Sequence, residues 1–208
     1  MNPGRIFCIG KNYAEHVAEL AHLGHQPDGQ CVVFMKPGTC IVPAGQPIRL
    51  PRDRGSIHHE AELVVRIGTG GAHISADDAL SHIDALSLGL DLTLRDLQTT
   101  LKNSGKPWEL AKAFDGAAPL GNWTGYAGQD LQSLAFSFEV NGKLRQQANT
   151  GDMLYPVAQQ IQILSATWAL LPGDLIYTGT PAGVGPLLPG DHLVLRGPGL
   201  GRFEWNCE

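Results

Sequence analysis

The run IHHEAELVVRIG, Ile57 to Gly68, has the β-branched, apolar character of a buried strand, yet it carries two carboxylates, Glu60 and Glu62, at its start. Strand residues two apart point to the same side, so the two glutamates share a face and Ala61, Leu63, Val65 and Ile67 form the apolar face opposite. On a helix the pair would lie about 200° apart. Burying two like charges together is costly, so either both face water or positive charge lies between them. Asp91 interrupts the run LGLDLTL in the same manner, with Leu88, Leu90, Leu92 and Leu94 on one face and Gly89, Asp91 and Thr93 on the other. Three oxygen anions on sheet positions suit a hard cation, Mg²⁺ or Mn²⁺. For an E-x-E taken alone, the ordinary alternative is a solvated strand face with no ion.

The rest of the chain reads as mainly β. Its 26 glycines and 14 prolines are spread along the sequence, and frequent turns between short apolar runs argue for strands with a few helices. With 43% hydrophobic and 17% charged residues the composition is globular. A net charge of −5 and the lack of a Lys/Arg run argue against a nucleic-acid or membrane-surface partner. No apolar run approaches a membrane span, and the first residues lack the apolar core of a signal peptide. Cys8, Cys31, Cys40 and Cys207 show no metal or disulfide spacing, so reduced thiols and a cytoplasmic location are expected.

Along the chain, RIFCIG and CVVFMKP read as strands, and the segment from Lys11 to His25 between them as a helix. Asn12 is its expected N-cap, Glu15 completes a capping box and Gly24 is its stop. Ser75 is expected to cap a short helix. A second helix is expected from Thr93, with Asp96 completing its cap, and a third from Asp152. Asn141-Gly142 predicts a type I′ hairpin. LLPGDLIYTG and LLPGDHLVLRG each read as a Pro-Gly-Asp turn leading into a strand, as in consecutive strands of a rolled sheet. No linker-like segment breaks the chain, which predicts one domain over 1–208. The phosphate-loop, dinucleotide, GxSxG and H-E-x-x-H motifs are all missing.

Taken in order, IGKNYAEH, FMKP, HHEAELVVRIG, GLDLTLRDLQ, KPWELAKAFDGAAPLG and YTGTPAGVGPL resemble the fumarylacetoacetate hydrolase family over nearly the whole chain. They are most similar to its short, single-domain subgroup of acylpyruvate hydrolases and oxaloacetate decarboxylases. The resemblance implies an α+β, mainly β fold, a mixed β-roll with flanking short helices, and a homodimer. It implies Glu60, Glu62 and Asp91 as ligands of Mg²⁺ or Mn²⁺, His16 as catalytic histidine with Glu19 as its carboxylate partner, and Lys112 as a lysine facing the substrate. Gln98, Thr180 and Lys11 are expected near the substrate. Ala113 stands where the family often has a hydroxyl residue.

The expected substrate is a 2,4-dioxo acid such as acetylpyruvate or fumarylpyruvate. Cleaving its C3–C4 bond leaves a pyruvate enolate, whose charge a metal ion with open positions stabilises. His16 and Glu19 lie three residues apart on one helix, where their side chains can meet and activate water for the distal carbonyl. With oxaloacetate, the same site would support decarboxylation or enol–keto tautomerisation. The alternative of another class is a non-catalytic β-module that binds a cation or none.

Overall fold

The structure is a computed structural model that describes residues 4–19, of which 17–19 by backbone alone, and 31–208. In chain order the strands are β1 (Arg5–Gly10), β2 (Val32–Pro37), β3 (Ile41–Pro43), β4 (Ile57–His59), β5 (Ala61–Ile67), β6 (Ile83–Leu90), β7 (Thr93–Leu94), β8 (Ala118–Leu120), β9 (Thr124–Gly125), β10 (Ala135–Val140), β11 (Lys143–Asn149), β12 (Leu175–Tyr177), β13 (Gly185–Pro186), β14 (His192–Gly197) and β15 (Gly201–Asn206). The helices are α1 (Ala14–Glu19), α2 (Arg95–Asn103), α3 (Glu109–Lys112) and α4 (Val157–Thr167). Among the described residues, no helix is long and apolar enough to cross a membrane.

A mixed sheet runs β2-β1-β12-β5-β6-β8-β3, with β9 also on β6. The β1–β12 and β3–β8 pairs are parallel, and the others antiparallel. An antiparallel sheet, β11-β10-β14-β15, and a small one, β13-β4-β7, complete the roll. Both faces of the mixed sheet are buried. Leu63, Val65, Ile67, Leu86, Leu88 and Leu90 pack in one core with Phe136, Phe138, Leu193 and Leu195 of the antiparallel sheet. Val64 packs on the other side with Ile6, Cys8 and Tyr177. Burial on both sides explains why ELVVRI is nearly continuously apolar rather than alternating.

The expected mainly β roll is what the chain forms, but several local readings are corrected. The strand from Ile57 breaks at Glu60, so β4 and β5 belong to different sheets. Asn12 does not cap α1: its Nδ2 donates to Thr178 O (2.7 Å) and its Oδ1 accepts from Tyr155 N (2.7 Å), tying three segments together. The continuation of α1 to Gly24 lies outside the described residues. Helix α2 starts at Arg95, and Asp96 accepts from Ser56 N (2.9 Å) across the chain instead of closing a cap with Thr93. Helix α4 starts after Pro156, not at Asp152, since proline is at home at a helix entry. Ser75 Oγ accepts from Asp78 N in a turn, and only a single 3₁₀ turn, Ala79–His82, follows.

The hairpin forms at Asn141 (φ 52°) and Gly142 (φ 72°), the positive values that a type I′ turn requires. The two Pro-Gly-Asp turns are alike in detail: Asp174 Oδ2 accepts from Leu171 N and Asp191 Oδ2 from Leu188 N, each at 2.8 Å. Their strands are not neighbours, however. β12 lies inside the mixed sheet and β14 inside the antiparallel one.

Candidate metal and active site

Three backbone features bring the carboxylates together. Glu60 occupies the break between β4 and β5, and its carbonyl accepts from Asp91 N (2.8 Å) just beyond the end of β6. Glu62 stands on β5 opposite Gly89 of β6. A Cβ on Gly89 would meet the Tyr177 ring at 2.8 Å, so glycine is needed there for the ring to fill the sheet face behind the site. One oxygen from each of Glu60, Glu62 and Asp91 can lie within 4.8 Å of the others, and all three residues are buried.

The charge between them is supplied by the protein. Lys112 Nζ, from α3, lies 2.6 Å from Glu60 Oε2 and 2.7 Å from Asp91 Oδ2. Arg95, at the start of α2, donates through Nη2 to Glu60 Oε1 (2.5 Å) and through Nη1 to Gln98 Oε1 (2.6 Å). Lys36, fully buried in β2, places Nζ 2.8 Å from Asp91 Oδ1. Its donors go to the carbonyls of Leu92 (3.2 Å), Ala117 (2.8 Å) and Lys112. Asp91 Oδ1 is therefore screened by a cation yet accepts no hydrogen bond, and its lone pairs stay unfilled. Glu62 contacts none of these cations; its Oε2 accepts from Gly179 N (2.7 Å). Gly179 (φ 105°) approaches Asn12 so closely that a Cβ would meet its side chain at 2.6 Å.

These surroundings act on the two glutamates in opposite ways. Burial would raise the Glu60 pKa, but Lys112 and Arg95 overcome it and hold the group well below the carboxylate range. Burial pushes Glu62 well above that range, Asp91 pushes it further, and the Gly179 N–H only partly compensates. Burial works against the Lys112 ammonium, but Asp91 and Glu60 raise its pKa and keep it charged.

The residues fit a hard divalent cation. All three donors are carboxylate oxygens, one buried oxygen has open lone pairs, and Glu62 bears a burial penalty that a cation would relieve. Gln146 of β11 braces the start of β5, the strand that carries Glu62. Its Oε1 accepts from Ala61 N (3.0 Å) and lies 2.9 Å from His59 Nδ1, and its Nε2 donates to Thr180 Oγ1 (2.8 Å) and Pro181 O (2.9 Å). Burial lowers the His59 pKa to about 4, so the ring is neutral and Nδ1 is the donor to Gln146.

A cavity of about 420 Å³, counting its open mouth, lies over the carboxylates. Its walls include His16, Lys11, Gln98, Lys112 and Thr180, so every described residue expected at the site meets in one place. The side chain of Glu19 lies outside the described residues. The Thr180 hydroxyl is already committed, donating to Ala61 O (2.9 Å) and accepting from Gln146. Sequence reasoning missed Lys36, Arg95, Gln146 and Lys102. Lys36 and Arg95 did leave a signal, as cations inside or beside otherwise apolar strand segments.

Comparison with known proteins places the chain in a family. The family model described as fumarylacetoacetate hydrolase C-terminal matches residues 5–206. Oxaloacetate tautomerase YcgM of Escherichia coli is 40% identical, over 92% of this chain and 87% of that protein. Mitochondrial oxaloacetate tautomerase FAHD1 of Bos taurus is 36% identical, over 98% of this chain and 91% of that protein. The crystal structure of fumarylpyruvate hydrolase from Pseudomonas aeruginosa in complex with Mn²⁺ and pyruvate superposes with a TM-score of 0.91 at 36% identity, covering 98% of this chain and 88% of that one. With the family model spanning the strands, both helices that bear the cations and all three carboxylates, the chain belongs to the fumarylacetoacetate hydrolase C-terminal family.

Proposed function

We propose that this chain binds one Mg²⁺ or Mn²⁺ through Glu60, Glu62 and Asp91 and runs enolate chemistry on a 2-oxo acid, with keto–enol tautomerisation of oxaloacetate as its main reaction. The observation that carries the reading is the buried triad of carboxylates with a cation set built against it at the floor of the cavity. When bound, a divalent ion supplies Lewis-acid polarisation of the 2-oxo acid. The remaining chemistry falls to the chain. Tautomerisation moves one proton between C3 and the C2 oxygen, and the His16 imidazole in the cavity wall is the group that can hold it. Lys112 holds a fixed positive charge beside the oxygen on which negative charge develops. The relatives named for oxaloacetate tautomerisation support this reading.

Hydrolysis of acylpyruvates is the second reading, favoured by the fumarylpyruvate hydrolase structure that holds pyruvate. There, water deprotonated by His16 with Glu19 adds to the distal carbonyl, the C3–C4 bond breaks, and the pyruvate enolate takes up a proton. Oxaloacetate decarboxylation would pass through the same enolate. A homodimer, a single domain and a cytoplasmic location belong to the proposal; light scattering at the monomer mass would remove the dimer.

The test is oxaloacetate enol decay and pyruvate release from acetylpyruvate, fumarylpyruvate and oxaloacetate, each with Mg²⁺, Mn²⁺ or chelator. Metal-dependent enol decay without pyruvate release supports tautomerisation. Pyruvate from the acylpyruvates, lost in Glu19→Ala, moves the assignment to hydrolysis. No metal-dependent turnover of any substrate returns the chain to a non-catalytic module.

A further inference from the structure

Lys36 carries its ammonium from β2 into a cage of oxygens. Nζ donates to Leu92 O (3.2 Å), Ala117 O (2.8 Å) and Lys112 O, and Asp91 Oδ1 lies 2.8 Å away. The Phe114 ring covers a further side, its centroid 5.9 Å from Nζ. An ammonium has three N–H donors, and the three carbonyls take them all. Lys112 and Arg95 differ in this: Lys112 donates to Glu60 and Asp91, and Arg95 to Glu60 and Gln98, all of them side chains. Each carbonyl of the cage belongs to a backbone on which the carboxylate site depends. Leu92 follows Asp91, and Lys112 is the residue whose own Nζ bridges Glu60 and Asp91. Ala117 O also accepts from Leu92 N (3.0 Å), which ties those two segments together. Without a cation, three carbonyl dipoles and a carboxylate would turn their negative ends on one buried point, a costly arrangement. The cage demands positive charge at its centre, not a particular side chain.

We propose that this cage is a monovalent-cation site and that Lys36 is its tethered occupant, a positioning residue that sets Asp91 and Lys112 relative to each other as a K⁺ or NH₄⁺ ion would. The spacing selects the class of ion. Oxygens 2.8 and 3.2 Å from the centre are too far for Mg²⁺, which takes them at about 2.0–2.1 Å, and for Ca²⁺, at about 2.3–2.6 Å. Cages of backbone carbonyls replace the hydration shell of K⁺, and an aromatic face adds attraction for a monovalent cation. The compact ammonium of lysine suits such a point-like site, whereas the planar fork of arginine does not. The tether spares the fold from capturing an ion out of solution, and it joins β2 to the two segments that carry Asp91 and Lys112.

The test removes the tether and offers free ions. Lys36→Ala and Lys36→Met are refolded from urea into NaCl, KCl, NH₄Cl or choline chloride, each at an ionic strength of about 0.15 M. In NaCl and in choline chloride both variants should melt about 10 °C or more below the parent. KCl or NH₄Cl should return about half of that loss or more to Lys36→Ala, which has room for an ion. Neither salt should help Lys36→Met, whose methyl group fills the room, or move the parent. In the same two salts the Mn²⁺ dissociation constant of Lys36→Ala, read by calorimetry, should return to the parent's value. A Lys36→Ala that folds only in KCl or NH₄Cl supports the site. Parent-like stability of Lys36→Ala in NaCl, failure to fold in all four salts, a rescue that NaCl or choline matches, or Mn²⁺ binding indifferent to the salt would each overturn the proposal. The melting arm stands without the metal reading above: a parent that binds no Mn²⁺ would sink that reading and leave melting to decide for the cage.

Discussion

Glu60 and Glu62 lie two residues apart on one run of chain and point into one cavity, but their walls differ. The wall beside Glu60 is built by α2 and α3 and brings two full positive charges, Arg95 and Lys112, to within 2.6 Å. The wall beside Glu62 is built by the turn after β12 and brings one backbone N–H, from Gly179. The first carboxylate is thus held ionised by the fold itself, whereas the second is left to protonate unless a cation arrives. One wall brings compensating charge with it, and the other brings a single neutral donor.

The largest effect that would break this comparison is on stability. Removing Glu60 strands Arg95 in a buried setting and deprives Lys112 of one of its two partners. Breaking a buried pair from one side costs about 3–5 kcal/mol. Glu60→Gln should therefore lower the unfolding free energy of the metal-free protein by roughly that amount in urea titrations, and Glu62→Gln should not lower it at all. Equal losses in the two variants would mean that the walls do not differ.

Binding should show the opposite order. Glu62→Gln removes a ligand oxygen while keeping the Gly179 N–H an acceptor, so Mn²⁺ affinity should fall by more than the ~10²-fold upper range seen for indirect ligand contacts. Calorimetry checks this, and a variant that binds Mn²⁺ as tightly as the parent rejects Glu62 as a ligand. A smaller loss, about 10–100-fold, is expected for Gln146→Leu. That variant removes the brace from Ala61 N, the one backbone N–H between the two glutamates, without touching either carboxylate.

What could be read from the sequence follows the same divide between near and distant causes. The Asn141-Gly142 hairpin and both Pro-Gly-Asp turns were legible, because turn chemistry is settled within a few residues; Glu60 and Glu62 do line one cavity, although Glu60 stands at a strand break and not on a shared strand face. Sheet membership was not: identical turns at Asp174 and Asp191 launch strands into different sheets, since neither turn encodes its strand's partner. Asn12 has the local appearance of a cap, but a partner at Thr178 outcompetes its own helix. Lys36 within FMKP shows no local sign of its role, because the carbonyls and carboxylate that hold it lie more than fifty residues away. The break at Glu60 has a similar cause, as β4 is drawn off by β7 and β13.

The smallest and most discriminating effect is the pH dependence of stability with metal removed by chelator. The ordinary carboxylate value for both glutamates is 4.5. Glu62 is raised in the folded state, so above that value the unfolded chain releases its proton first, and the folded state loses stability as pH rises toward the raised value. Glu60 is depressed, so its contribution is fully present above 4.5 and is lost only as pH falls through the lower folded value. The two residues therefore tilt the stability curve in opposite senses on opposite sides of one reference point. Comparing parent and Glu62→Gln between about pH 5 and 8 isolates the first tilt, because the amide cannot titrate. The variant should gain on the parent as pH rises, by up to about 1.4 kcal/mol for each pH unit over which Glu62 stays protonated in the folded state. The gain should disappear when saturating Mn²⁺ is restored to the parent, since an ion at Glu62 displaces the proton and stabilises the charged form. A difference between the two proteins that stays flat with pH in the presence of chelator would mean that Glu62 is ionised without a cation, and that the two walls are electrostatically alike.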